Sequence, residues 1–374
     1  MRSGYGKKIR GHFAEKNPLV VIDFGGFKVF DSATVDTNVL LVQNSENQES
    51  LFACHFEGDY MKGTSIHDYC RDNGFRLSGL TENTWFIGKP KELALKEKIE
   101  KIGKPVKEWD IKISYGIKTG LNEAFIIDET TRAKLISQDS KSEEIIKPIL
   151  RGRDIKRYSY EFAGLYIIIA KFGSYKTIEQ KYPAVYNHLK KYEDKLKTRG
   201  QCKGTRSGKS SSPDYPGQHH WLELDNNPQD SYIEQFEKEK IVWIELVDDG
   251  RFSYVKPGVY TEATTFLMTF QRPKYLVGLM NSKVVNWYFD KICGESGVGT
   301  NRWKKFYVEA IPLPEINEDS EPTVNNIENL VDQILAIKEE DPKTSISDLE
   351  KQIDESVYQL YGLTSEEIEL INYE

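Results

Sequence analysis

The sequence contains no run of about 18 apolar residues, so nothing in it predicts a membrane span. Cysteine and histidine are scarce, four and six in 374 residues. Cys54, Cys70, Cys202 and Cys293 make no C-x-x-C pair and have no histidine at ligand spacing, while His219-His220 stands apart. This pattern predicts reduced, structural thiols in a cytoplasmic protein without a zinc site. Residues 1–17 are basic but lack the apolar segment of a secretory signal. Catalytic signatures are missing too: there is no G-x-S-x-G elbow, no H-E-x-x-H and no EF-hand loop. Asp23-Phe24-Gly25 spells the metal-binding triplet of protein kinases, yet no glycine-rich loop precedes it and no H-R-D follows. Gly294–Thr300 is glycine-rich but lacks the G-K-[ST] end that reaches phosphate and magnesium, and so reads as a turn. Asp248-Asp249 before Gly250 reads as turn chemistry. No constellation meets the geometric roles of an active site.

What is present is length, aromatic side chains and uneven charge. A chain of 374 residues predicts two or three domains, and 39% hydrophobic residues suffice for packed cores. The 21 Tyr, 17 Phe and 6 Trp exceed core needs and point to interfaces or stacking surfaces. The net charge of −7 argues against nucleic acid, but residues 315–374 hold 17 acidic and 3 basic residues, a net −14 that leaves +7 for residues 1–314. Residues 147–209 carry 16 Lys/Arg against 5 Asp/Glu. An acidic C-terminal stretch therefore masks a basic body.

Taken in order, Leu19–Phe24 and Asn38–Val42 read as strands buried on both faces of an α/β sheet. Residues 45–106 are a connecting region with a helix over Lys91–Lys101 and a short strand at Trp85-Phe86. Residues 107–315 read as one α+β domain, with strands at Leu165–Ala170, Ile241–Leu246 and Phe266–Phe270 and helices over Glu129–Ser137, Ile178–Thr198 and Lys274–Asp290. In residues 322–374, Ile327, Leu330, Ile334 and Ile337 make one helical face. Leu349, Ile353, Val357 and Leu360 make another, predicting a helical hairpin packed on the preceding domain with an acidic outer face.

The stretch Ile111–Asp128 organises the middle of the chain. Apolar arms at Ile111–Ile117 and Ala124–Ile127 flank Lys118-Thr119-Gly120-Leu121-Asn122, which predicts a hairpin with a short polar loop. Three more loops pair cations with glycine or aromatic residues: Arg151–Tyr158, Arg199–Lys209 and Asn301–Lys305. Glycine admits a phosphate close to the backbone, and Arg and Lys supply charge. Arg also presents a fork to guanine edges. Each loop alone is a solvated turn; four in one domain point to nucleic acid. The candidate DNA contacts are Lys118, Thr119, Asn122, Arg151, Arg153, Arg199, Lys203, Arg206, Arg302 and Lys304. Tyr158 and Trp303 are expected to be structural.

Three blocks carry a resemblance. Tyr115–Asp128, Ile146–Ile155 and Tyr275–Lys283, the last followed by Arg302-Trp303 and Ile311-Pro312-Leu313-Pro314, together resemble the C-terminal target-recognition (TaqI-like specificity) domain of adenine-N6 DNA methyltransferases. Type IIG restriction–modification enzymes and phage-defence methyltransferases are among these. The resemblance covers residues 107–315. Val21–Phe30 with Ala33–Leu40 is similar to the last strands of such an enzyme's catalytic domain, so residues 1–44 are expected to be an incomplete remnant of an α/β methyltransferase sheet. The chain departs from the family in lacking the Gly-rich S-adenosylmethionine loop and the N/D-P-P-Y/F motif; Asn227-Pro228-Gln229-Asp230 lacks the second proline and the aromatic. No nuclease signature is present. The resemblance thus implies a module that binds double-stranded DNA, has no cofactor of its own, and works with a separate methyltransferase or nuclease domain or subunit. S-adenosylmethionine is expected only for a complete parent enzyme. Two alternatives stay open: an assembly subunit that docks such a partner, and an enzyme with unrecognised motifs.

Overall fold

The computed structural model describes residues 6–372 apart from 26, 28, 31, 33–36, 57–59, 61–62, 83–84, 205–211, 227, 246, 248–249 and 294–302. Arg206, Arg302, Asp248-Asp249 and the Gly294–Thr300 turn lie outside the described residues. The fold is α+β. Strands β1 (Asn17–Asp23), β2 (Asn38–Gln43), β3 (Leu51–His55) and β4 (Phe75–Leu77) precede the helix Pro90–Ile102 and β5 (Gly103–Pro105). The middle of the chain adds β6 (Lys112–Tyr115), β7 (Ile126–Asp128), β8 (Ile146–Leu150), β9 (Leu165–Ile168) and β10 (Lys240–Ile244). After these come β11 (Ser253–Val255), β12 (Tyr260–Thr261), β13 (Thr265–Thr269) and β14 (Pro312–Pro314).

The strands form sheets β2-β1-β3-β4, β11-β10-β13-β6 and β12-β8-β9-β7, with β14 paired to β5. β1 pairs with both β2 and β3, so one sheet runs across residue 44. β2 is not buried on both faces as its composition suggests. It is the sheet edge, with Val39 48% and Leu41 52% exposed. Trp85 and Phe86 are buried in irregular backbone rather than a strand.

The β11-β10-β13-β6 sheet is the partition of the molecule. Successive strand residues face opposite sides. Ile241, Trp243, Phe266 and Met268 enter a core shared with the C-terminal helices. Val242 and Leu267 enter a second core with Ile149, Ile167 and Phe125. Tyr158 and Trp303 are each 1% exposed, as expected of structural aromatics; Trp303 stacks on Phe289 at 3.5 Å. All four cysteines are free and buried.

Three helical expectations change. The Ile178–Thr198 segment divides into Ile178–Lys181, Pro183–Lys190 and Glu193–Lys197, because the residue before Pro183 cannot stay helical; Tyr182 adopts φ −137° and ψ 62°. The Lys274–Asp290 segment is two helices, Pro273–Asn281 and Lys283–Ile292, joined at the N-cap Ser282. The first of them is almost wholly buried rather than amphipathic. The C-terminal helical hairpin is present as Glu321–Glu340 and Ser347–Leu360, with a further helix, Ser365–Asn372, after it, but its acids do not all face outward. Arg272 bonds Glu321 and Glu328, Lys274 pairs with Asp332, Lys98 with Glu367, and Arg157 bonds Glu350. Among the described residues no helix is long and apolar enough to cross a membrane.

Gly278 lets the helix Pro273–Asn281 approach Glu321–Glu340. A Cβ at this position would sit 2.6 Å from Ile327 Cγ2. Gly278→Val is therefore expected to destabilise the chain by about 1–3 kcal/mol through overpacking, read as a lower urea midpoint with an unchanged slope.

Candidate nucleic-acid interface

The Ile111–Asp128 stretch is not a hairpin. Its first arm, β6, pairs with β13, whereas its second, β7, pairs with β9 in a different sheet. The loop between them therefore bridges two sheets. Gly116 passes so close to the β12–β13 connection that a Cβ would lie 2.0 Å from Glu262 O. Gly120 has φ +72°, and a Cβ there would meet Asp225 Oδ1 at 2.4 Å. Both glycines thus serve backbone shape. Thr119 is buried and its Oγ1 donates to Asn122 Oδ1 at 2.5 Å. Asn122 is exposed and opens the short helix Asn122–Phe125.

Arg199 lies beneath this loop, with its side chain 4% exposed. Nε donates to Leu196 O (3.1 Å), Nη1 to Thr119 O (2.7 Å) and Asp225 Oδ1 (3.3 Å), and Nη2 to Trp221 O (2.8 Å) and Glu223 O (2.7 Å). An arginine has five N–H donors, and all five are used inside the chain. Its guanidinium also lies 5.4 Å from the Phe125 ring. Arg199 is therefore a positioning residue for the loop, and its buried fork is not offered to a phosphate. Asp225 is the anion of the cluster. Burial pushes its carboxyl up, but His219, Arg199 and Lys118 outweigh that and hold it below the usual carboxylate range. Lys118 is half-exposed and reaches Asp225 Oδ2 at 3.6 Å.

The Arg151–Tyr158 loop meets the same surface. Asp154 accepts from the Arg151 backbone N (2.8 Å), Nε (3.0 Å) and Nη2 (2.8 Å), which locks Arg151 into a tight turn. Arg153 points outward; it is exposed and makes no ion pair among the described residues. Glu262 Oε1 accepts from Gly152 N (3.1 Å) and Thr264 Oγ1 (2.9 Å). Asn122, Arg151, Arg153, Glu262 and Thr264 then line one open groove of about 540 Å³. Two loops far apart in sequence thus converge on one concave surface with donors and acceptors of both signs.

Lys203 is exposed. Lys304 is half-exposed, 4.0 Å from Glu245. The next residue, Lys305, donates to Ile113 O at 3.1 Å, which places this segment along β6, outside the groove. Sequence reasoning missed Asp225, His219, Glu262 and Thr264, because Arg199, Cys202 and Gly152 are brought to them by the fold and not by any local pattern. It also missed Tyr115 and Phe306, exposed by 57% and 60%. Among the described residues no group of three or more His, Cys, Asp or Glu could hold a metal.

Residues 147–313 match the model of the TaqI-like C-terminal specificity domain. The match spans somewhat less than half of the chain, and over it the sequence is similar to that specificity domain. The Lys118 loop precedes this span but is built into it through β13, Arg199 and Asp225. Among solved structures the chain is similar to the type IIL restriction–modification enzyme MmeI in complex with DNA, at 14% identity and TM-score 0.52, over 96% of this chain and 45% of that one. It is also similar to the type IIG restriction endonuclease BpuSI, at 10% identity and TM-score 0.40, over 96% and 46%. The likeness to MmeI is one of fold, and the chain spans less than half of either enzyme. No curated protein sequence matches it.

Arg199→Ala is expected to cost about 3–5 kcal/mol, because it strips a buried carboxylate and four carbonyls of their donor. Arg199→Lys should restore only part of this, since an ammonium cannot reproduce the planar fork. Chemical denaturation of the full chain measures both.

Proposed function

We propose that this chain is the DNA target-recognition module of a restriction–modification enzyme, of the kind that methylates adenine N6. The carrying observation is the groove, where the exposed Arg153 and Asn122 stand beside the Arg151–Asp154 lock within a specificity domain. In this reading Arg153, Asn122 and Thr264 face base edges. Lys118, Lys203 and Lys304 contact phosphates, as do Arg206 and Arg302. Thr119, Arg151 and Arg199 set the shape of the surface.

Among the described residues, the carboxyl ends of β1 and β3 offer aromatic packing rather than a cradle for S-adenosylmethionine. In an open α/β sheet a ligand sits outside the carboxyl ends of parallel strands. At that end of β1 and β3, Phe24 packs on Phe56 at 4.8 Å and Phe56 on Tyr69 at 4.7 Å, all three buried. The methylating machinery belongs to a complementary domain or subunit. The exposed edge of β2, with Val39 and Leu41 open to solvent, supports a partner docking there.

Duplex DNA binding by the full chain is expected to fall linearly in log K against log salt. Arg153→Ala or Lys304→Ala should lower the slope by about 0.9 if a phosphate contact is lost. Loss of a base contact would instead relax preference at one position by about 1–3 kcal/mol. A salt-independent affinity would sink the proposal. Calorimetry with S-adenosylmethionine should show no binding to this chain alone; a clear isotherm would return the methyltransferase role to it.

A further inference from the structure

The groups under the Lys118 loop hold more cations than Asp225 needs. Asp225 Oδ1 takes Arg199 Nη1 at 3.3 Å and His219 Nε2 at 3.0 Å, and Oδ2 faces Lys118 Nζ at 3.6 Å. His219 is fully buried. Its other nitrogen, Nδ1, lies 2.9 Å from His220 O and 3.5 Å from Cys202 Sγ. A carbonyl and a carboxylate only accept, so both ring nitrogens must donate, and only the imidazolium can do so. Arg199 and His219 thus already answer the Asp225 charge from the buried side. Lys118, half-exposed and beyond direct hydrogen-bond distance, is the third and most weakly held cation.

We infer that His219 is a positioning residue for DNA recognition: by sharing Asp225 with Arg199, its imidazolium leaves the Lys118 ammonium available to a DNA phosphate. The inference rests on the DNA-recognition reading above. If His219 loses its charge, Asp225 regains an unanswered half and draws Lys118 inward. Asp225 and Cys202 contact His219, Arg199 and Lys118 share its carboxylate partner, and Glu223 and His220 act on it from beside. Glu223 is bound by the backbone N–H groups of Gly173, Tyr175 and His220, while burial lowers the His220 pKa to about 4 and keeps that ring neutral. Neither substitutes for the imidazolium. Burial opposes the His219 proton, but its bonds to Asp225, Cys202 and the His220 carbonyl raise it to about 9. The charge is therefore in place at neutral pH and disappears as pH rises through that value.

The test is a double-mutant cycle on the full chain with a labelled mixed-sequence duplex, titrated with salt. Gln in His219→Gln keeps an amide donor to Asp225 but has no charge. Affinity is expected to fall about three- to tenfold, with the salt slope reduced by about 0.9, one phosphate contact. Lys118→Ala should show the same loss, and His219→Gln should add nothing to it. Acylation of Lys118, followed by peptide mass spectrometry without DNA, should slow in His219→Gln. Equal loss from His219→Gln in both backgrounds with an unchanged slope marks a merely structural role and overturns the inference, as does no effect on affinity or acylation. If the variant does not fold, the wild-type chain decides. Its affinity should weaken between about pH 8 and about pH 10, across the His219 transition, and a Lys118→Ala chain with the same decline overturns the idea. Wild-type protein with no salt-dependent binding overturns the DNA reading together with this inference, whereas binding without the Lys118–His219 coupling overturns this inference alone.

Discussion

The Arg199 guanidinium is the interaction on which the surface around the Lys118 loop depends. It joins three segments that are distant in sequence: the end of the helix at Leu196, the Thr119 loop and the Trp221–Asp225 stretch. Four of its five acceptors are backbone carbonyls, so it fixes chain paths rather than side-chain positions. A cation in so apolar a place needs an anion, and Asp225 supplies it; that carboxylate in turn requires His219. A chain of mutual requirements therefore runs from the interior to Lys118 at the rim. The outer face of the loop is free to present Asn122 because its inner face is completely satisfied.

The charge asymmetry of the sequence has a structural resolution. The acidic C-terminal helices are docked on the basic body through Arg157, Arg272, Lys274 and Lys98, which are thereby neutralised. Arg153, Lys118, Lys203 and Lys304 stay exposed, Lys118 and Lys304 with only long ion pairs to Asp225 and Glu245, and the net charge of −7 does not describe their surroundings. Net charge described the whole chain, whereas association with a polyanion depends on which charges remain unmatched on one face.

Much of the architecture could be read from periodicity. Ile327, Leu330 and Ile334 mark a helical face and are buried, and the helix over Lys91–Lys101 is present as Pro90–Ile102. Pairing partners could not be read in this way. Either side of Lys118–Asn122 looks like one arm of a hairpin, yet β6 pairs with Thr265–Thr269, and nothing in the local residues can express that preference. Arg199 sits in a Gly/Ser-rich basic run and reads as a surface cation; its burial is decided by carbonyls between 3 and 80 positions away. Likewise β2 has the composition of an inner strand, and only the absence of a further strand beside it among the described residues makes it an edge. The candidate groove was legible as two polar loops, but their convergence and the roles of Glu262 and Thr264 arise from the sheets that carry them.

The turn at Arg151–Asp154 separates two properties that many binding sites combine. Its shape is held by Asp154, which takes three donors from Arg151, while Arg153 projects from it without supporting it. A change of side chain at 153 alters what the groove presents and leaves the turn's own bonds intact. Exposed positions of this kind usually change stability by less than about half a kilocalorie per mole. Shape and outward chemistry are thus carried by different side chains, so position 153 can change what the groove presents without first re-engineering the fold.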